Sequence, residues 1–361
     1  MITKHEAKDR LKIRRIPCVI AYINPLNIVY SNFVDELSVL KSGIKYKWDN
    51  IKLHEVVGGI NINESQHSLL VCRDGLIALP AVYGYDEHRI TREFNFIISS
   101  FMLGGHYIRS VDIENIETGF LIDKKYVISK NYSNCYPNVF HRNIRFDNAS
   151  DIEGALLSSS PRVSINELIA IYNRGNEAVN LLSGVSVDIL LRGISKLEKR
   201  EWLDCLSLLW IVIEQLVARI WSSKVVGDES VKSSKNRLNQ LKDNRAWTIA
   251  NKIEVFFHKK IISMDTVNNL NVSRKARNDL VHGGRPPVQS DVNAAFSAIS
   301  ELISAVIPDF DCAIFRRGFD EIVGSSLVKG DGPVVSTFDA EMPLLPGLEE
   351  IYELVEIAER D

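Results

Sequence analysis

Paired cysteines are missing from this chain. The five it has, Cys18, Cys72, Cys135, Cys205 and Cys312, are odd in number and far apart. Neither a disulfide framework nor the close pairs of a zinc site can be read from them. A reducing, cytoplasmic setting is expected. Long apolar runs are missing too. The richest, Leu206 to Ile213, stops at Glu214 and Gln215, well short of the roughly 18–20 residues that cross a bilayer, so no membrane partner is expected. The first ten residues carry both charge signs and no apolar centre, and they are not expected to act as a secretory signal. There is no basic excess either. A formal net charge of −3 argues against a basic footprint over the whole surface, while leaving room for a local cluster of Arg and Lys. No GxGxxG loop follows a strand and opens a helix, so Gly58-Gly59 and Gly104-Gly105 read as turn or cap glycines. Internal repeats and low-complexity runs are lacking as well.

What is present is a chain of 361 residues, 45% hydrophobic and 25% charged, which can bury a sizeable core and is long enough for two domains. The expected class is α+β. A mixed α+β domain is expected over 1–163, a helical bundle over 164–308, and a linker with a short acidic tail over 309–361. In the first part, Ile16 to Ile23, Ser68 to Val71, Gly75 to Val82, His106 to Val111 and Tyr126 to Ser129 read as strands. One helix is expected between a cap at Asp86 and the glycines at 104 and 105, with Ile90, Phe94, Ile97, Ile98 and Phe101 at helical spacing. His106, His141 and Cys135 are dispersed and lack ligand spacing, so they read as packed or solvated residues. Neither a metal nor an organic cofactor is expected.

From Ser164 the period becomes helical. Helices are expected near 164–182, 186–198, 200–223, 234–258, 264–282 and 291–307. The third is apolar nearly all round, which places it at the centre of a bundle. Glu214, in its middle, is then a costly charge unless it is paired. Lys329 to Pro333 reads as a linker, and Leu348 to Ile357 as a short acidic amphipathic helix.

One segment carries chemistry: Arg274-Lys275-Ala276-Arg277-Asn278-Asp279-Leu280-Val281-His282-Gly283-Gly284-Arg285. An arginine, a polar residue and, four intervening residues after the arginine, a histidine stand near the end of one helix and before another. They follow a long apolar helix containing Trp210-Ile211-Val212-Ile213-Glu214-Gln215-Leu216. This resembles the signature of the HEPN superfamily, and most of all its Apea-like branch of prokaryotic defence and toxin proteins. The resemblance covers about 140 residues and leaves the N-terminal part unassigned.

The resemblance implies an endoribonuclease that needs no metal. RNA supplies its own nucleophile, the 2′-hydroxyl, so cleavage requires proton transfer and charge stabilisation. His282 would be the acid–base residue and Arg277 the phosphate clamp, while helix spacing makes Asn278 the residue placed to orient the ring. The products would be a 2′,3′-cyclic phosphate and a 5′-hydroxyl. Family membership also implies a homodimer in which two motifs flank one cleft, and a nuclease of toxin or antiphage-defence type whose N-terminal domain answers to a phage-derived trigger or an antitoxin. The alternative is a non-catalytic HEPN dimer that binds RNA or a protein partner.

Helix geometry adds that Asn278 and His282, four apart, share a face, whereas Arg277 and His282, five apart, point about 140° away from each other. Loosening of the helix at the glycine pair, or a second subunit, would have to bring them together. Val272, Ala276 and Leu280 are available to face the core. Arg274, Lys275 and Arg285 are candidate phosphate contacts; Lys275 and Arg285 read also as solvated charges, and Lys275 as a partner for Asp279. Glu214 reads either as a support for Arg277 or His282, or as a member of an internal salt bridge or of a partly wet end of the bundle.

Overall fold

The computed structural model describes residues 15–31, 53–62, 68–80, 86–130, 133–146, 160–227, 235–243, 245–307 and 309–313, with Ser150, Glu153, Leu156 and Phe315. The expected linker at Lys329 to Pro333 and helix at Leu348 to Ile357 lie outside them. The fold is α+β. The strands are β1 (Arg15–Ala21), β2 (Ile28–Tyr30), β3 (Val56–Asn61), β4 (Ser68–Cys72), β5 (Ile77–Pro80), β6 (Ile116–Ile122), β7 (Tyr126–Ser129) and β8 (Arg162–Ser164). The helices are α1 (Glu87–Leu103), α2 (Tyr136–Arg145), α3 (Ile165–Leu181), α4 (Val187–Glu198), α5 (Trp202–Ile220), α6 (Lys235–Lys242), α7 (Ile249–His258), α8 (Met264–Gly283) and α9 (Gln289–Val306). No described helix is long and apolar enough to cross a membrane.

Six strands form one antiparallel sheet in the order β3-β4-β5-β1-β6-β7. It curls until its edges meet: the Val56 amide donates to Lys125 O at 2.8 Å and the Val127 amide to His54 O at 3.0 Å. Edge groups that would otherwise seek another chain are thereby paired. Alternation along β1 sends Cys18 and Ile20 inward, where they meet Cys72, Ala78, Leu121 and Val127. α2 closes one end. Phe140 and Ile144 pack on Leu26, Ile28 and Leu53, and the same helix turns His141 and Arg145 towards buried Asp74. Arg145 grips both carboxylate oxygens at 2.6 and 2.7 Å, while His141 Nδ1 lies 2.7 Å from Oδ2 and its Nε2 3.1 Å from Ile23 O. A buried ion cluster of this kind persists only when every member is paired.

The segment expected to be a strand at His106 to Val111 is not one. It is a strap laid along α4: the His106 and Arg109 amides go to the backbone carbonyls of Phe101 and Asn24, and the groups that meet α4 go to side chains. Arg109 holds Glu198 through two bonds of 2.9 and 2.6 Å, the Tyr107 hydroxyl donates to Glu198 at 3.0 Å, and the Ser110 amide donates to Ser195 Oγ at 2.8 Å. α1 also belongs to the helical layer, packing on α3 and α4. Asp86 caps its start, accepting from the His88 and Arg89 amides at 3.0 and 3.4 Å. The residues on either side of the expected boundary at 163/164 are therefore in direct contact through α1 and the strap.

α5 is the centre of the bundle, flanked by α4 and α9 and touched by α7 and α8. It is not buried all round. Leu203 is 49% and Ile211 40% exposed, and Glu214 shares their outer face. After Ile220 the helix widens into a π turn at Trp221–Val226. The single helix expected over 234–258 is two, α6 and α7. Asp243 takes the Arg245 amide at 2.9 Å, Trp247 turns back to donate to Gln240 O at 3.1 Å, and Thr248 caps the new start. Side chains competing for backbone groups end the first helix and begin the second.

Candidate active site

The Arg277–His282 segment forms the last turns of α8. That helix starts at Ser263, whose hydroxyl accepts the Thr266 amide at 3.2 Å, and Glu301 of α9 fastens this end by accepting the Ser263 amide at 2.8 Å and the Thr266 hydroxyl. At the other end Gly284 takes the left-handed conformation, φ 65°. Its amide donates to Leu280 O at 3.1 Å and that of Arg285 to Asp279 O at 3.2 Å, a glycine cap that consumes the last helical carbonyls. Two prolines then turn the chain back to α9, where Asp291 accepts the Val288 amide at 3.0 Å. A helix fixed at both ends holds its side chains at set angles.

The core-facing stripe of α8 is Thr266, Val267, Leu270 and Ser273. Arg277 lies seven residues beyond Leu270 and four beyond Ser273, on the same side, and is half-buried. His282 is exposed and shares the outer face with Lys275, Asn278 and Asp279, the positions seven, four and three before it. Val272, Ala276 and Leu280 do not face the core as expected. Val272 is 44% exposed and the other two are half-buried, because the buried stripe is set by Val267 and Leu270 on a different side. The helix stays α-helical through Gly283, so it does not loosen between Arg277 and His282. The guanidinium and the imidazole leave it about 140° apart.

Their neighbours differ in part from expectation. Asn278 Oδ1 accepts from Arg277 Nη1 at 3.3 Å rather than holding the His282 ring, and Arg274 Nη2 donates to Asn271 Oδ1 at 3.2 Å. Asp279 stands 4.0 Å from Arg285 and not beside Lys275, which is exposed. Glu214 sits on the exposed side of α5 and accepts the Trp210 indole N–H at 2.7 Å, and among the described residues no bond joins it to Arg277 or His282. Because α5 is open on this side, Glu214 needs no buried partner.

Beside the outer face of α8 lies an open groove of about 260 Å³ lined by Val272, Lys275, Ala276, Asp279, Arg285, Pro286, Pro287 and Asp291. Sequence spacing did not reveal it, because Arg285, Pro286 and Pro287 come from the turn after Gly284 and Asp291 from α9. Elsewhere, His141 is packed in the Asp74 cluster. His106 is half-buried, and burial lowers its pKa to about 4, which keeps it neutral at physiological pH. Cys135, half-buried at the start of α2, receives Asn115 Nδ2 at 3.3 Å. Among the described residues no three His, Cys, Asp or Glu side chains gather as metal ligands would.

Compared with known protein families, with characterised proteins and with solved structures, the chain matches none. Its function has to be argued from the geometry of the site.

Proposed function

We propose that this protein is a metal-independent endoribonuclease of the HEPN kind, acting as a homodimer in the cytoplasm as a toxin or antiphage effector. The observation that carries this reading is the position of Arg277, Asn278 and His282. All three reach solvent at the rigid, capped end of one helix, where a long polyanion can approach. The substrate is RNA, because its 2′-oxygen attacks the adjacent phosphorus while the bond to the 5′-oxygen breaks. His282 takes the 2′-hydroxyl proton or returns one to the departing 5′-oxygen. Arg277, permanently charged, balances the charge that gathers on the phosphate oxygens. Asn278, bonded to Arg277, limits where that guanidinium can swing. Arg274, Lys275 and Arg285 add positive charge along the approach.

The divergence of Arg277 and His282 on a regular helix is the ground for the dimer, in which one copy's arginine faces the other's histidine. A lethal nuclease needs restraint, and the curled sheet, joined to the bundle through α1 and the strap, is the part assigned to sense a phage-derived trigger or an antitoxin. The test is cleavage of a labelled RNA by purified protein in excess chelator. Wild type is expected to yield 2′,3′-cyclic phosphate and 5′-hydroxyl ends, and Arg277→Ala and His282→Ala are each expected to lose about a hundredfold or more in rate. If the variants cleave as fast as wild type, the assignment fails. If no trigger elicits cleavage but RNA is still bound, the protein is a non-catalytic HEPN dimer.

A further inference from the structure

The groove beside α8 has a construction that the cleavage chemistry does not require. Val272 and Ala276 lie one turn apart on the helix and form one apolar wall, and Pro286 and Pro287 form a stiff second wall. Two such surfaces suit a flat ring. Lys275, Arg285 and the carboxylates of Asp279 and Asp291 complete its lining. Asp291 spends Oδ2 on the Val288 amide at 3.0 Å, and among the described residues the Asp279 carboxylate has the 4.0 Å pair with Arg285. Both carboxylates therefore keep accepting capacity in the lining of the groove. His282 follows Asp279 by three residues, one helical turn along the same face.

A carboxylate accepts hydrogen bonds and donates none. Among the RNA bases only guanine offers two parallel donors, N1–H and the N2 amino group, to a pair of oxygens. Uracil sets one N–H between two carbonyls, and adenine and cytosine set one amino group beside an acceptor nitrogen. We propose that this groove holds the base of the nucleotide next to the cleaved phosphate and selects guanine. Asp279 reads the Watson–Crick edge, the Val272–Ala276 and Pro286–Pro287 walls sandwich the ring, and Lys275 and Arg285 take the phosphate. This proposal rests on the ribonuclease reading for its biological sense, but its chemistry can be tested without cleavage.

The experiment is a titration of the full chain with the 3′-monophosphates of guanosine, adenosine, cytidine and uridine, followed by calorimetry or by NMR shifts. 3′-GMP is expected to bind about tenfold or more tightly than 3′-UMP, the discrimination that one bidentate base contact supplies. Asp279→Asn, a substitution on an accessible side chain, is expected to erase most of that preference, bringing the ratio of 3′-GMP to 3′-UMP affinity close to one whatever change the lost charge makes to all four. Lys275→Ala is expected to weaken all four nucleotides alike. Equal binding of the four, no binding of any, or a preference untouched by Asp279→Asn overturns the proposal. Cleavage without base preference removes the groove's role and leaves the nuclease. Selective 3′-GMP binding by a chain that never cleaves RNA removes the nuclease and leaves a guanine-nucleotide site.

Discussion

Asp74 is fully buried between Arg145 and His141. Burial alone would raise its carboxyl, but the charges of Arg145 and His141, and the hydrogen bonds from both, outweigh that and hold it below its ordinary 3.8. A depressed carboxyl contributes stability that is fully present above its unfolded value and is lost as pH falls through the folded one. The wild type should therefore lose stability steeply on acidification below about pH 4. Asp74→Asn, which strands Arg145, should cost about 3–5 kcal/mol at pH 7 and flatten the acid limb, as read by urea unfolding at pH 7 and near pH 3. Parallel pH profiles for the two proteins would show that the cluster is not the acid-sensitive element. Nothing in the sequence announced it, since Asp74 and Arg145 are 71 positions apart and each alone reads as a surface charge. The Arg277–His282 spacing was legible because it is local. The surroundings of Glu214 were not, because which side of α5 lies open is decided by its neighbours.

α1 and α3 cross with their backbones in contact. A Cβ built on Gly175 would come within 1.7 Å of Ser100 O, and one on Gly104 within 2.1 Å of Ile171 O. Arg174 seals the crossing by donating through Nε to Gly104 O at 3.1 Å. Backbone cannot step aside as a side chain can, so Gly175→Ala should destabilise the fold by about 2–3 kcal/mol, seen as a melting point several degrees lower. An unchanged melting point would mean that the crossing is looser than described. Helices marked by cap residues or by a clear apolar period, α1, α3, α8 and α9, could be read from the sequence almost to their ends. β2 and β8 are three residues long, too short for any period to register. In β3 the pair Gly58-Gly59 reads as a turn, yet it lies beside the irregular register where Val56 pairs with Cys72 and Gly58 with Val71. α2 was missed because its polar members, among them His141 and Arg145, point into the sheet rather than to solvent.

Over the whole chain, the α+β class and the change from strands to helices near Ser164 followed from the change in period. The joining of the two parts did not, since α1 and the strap contact α3 and α4 across a long stretch of sequence that no local pattern spans. Dimerisation is the prediction that belongs at this level. Chains bearing Arg277→Ala and His282→Ala, inactive alone, should recover about a quarter of wild-type cleavage when unfolded and refolded together in equal amounts. Half of the dimers are then mixed, and each mixed dimer retains one intact composite site. Activity no higher than that of either parent would place both residues within one subunit.

The parallel pairing of β2 with β8, Ile28 with Arg162, has a bearing on birth as well as on shape. On the growing chain β2 waits for a partner that emerges more than a hundred residues later, and only then can that loop close. Once it has closed, α3 follows immediately. All of this precedes the appearance of α8 from the ribosome, so the segment bearing Arg277 and His282 arrives on a body whose N-terminal part has already had the chance to set.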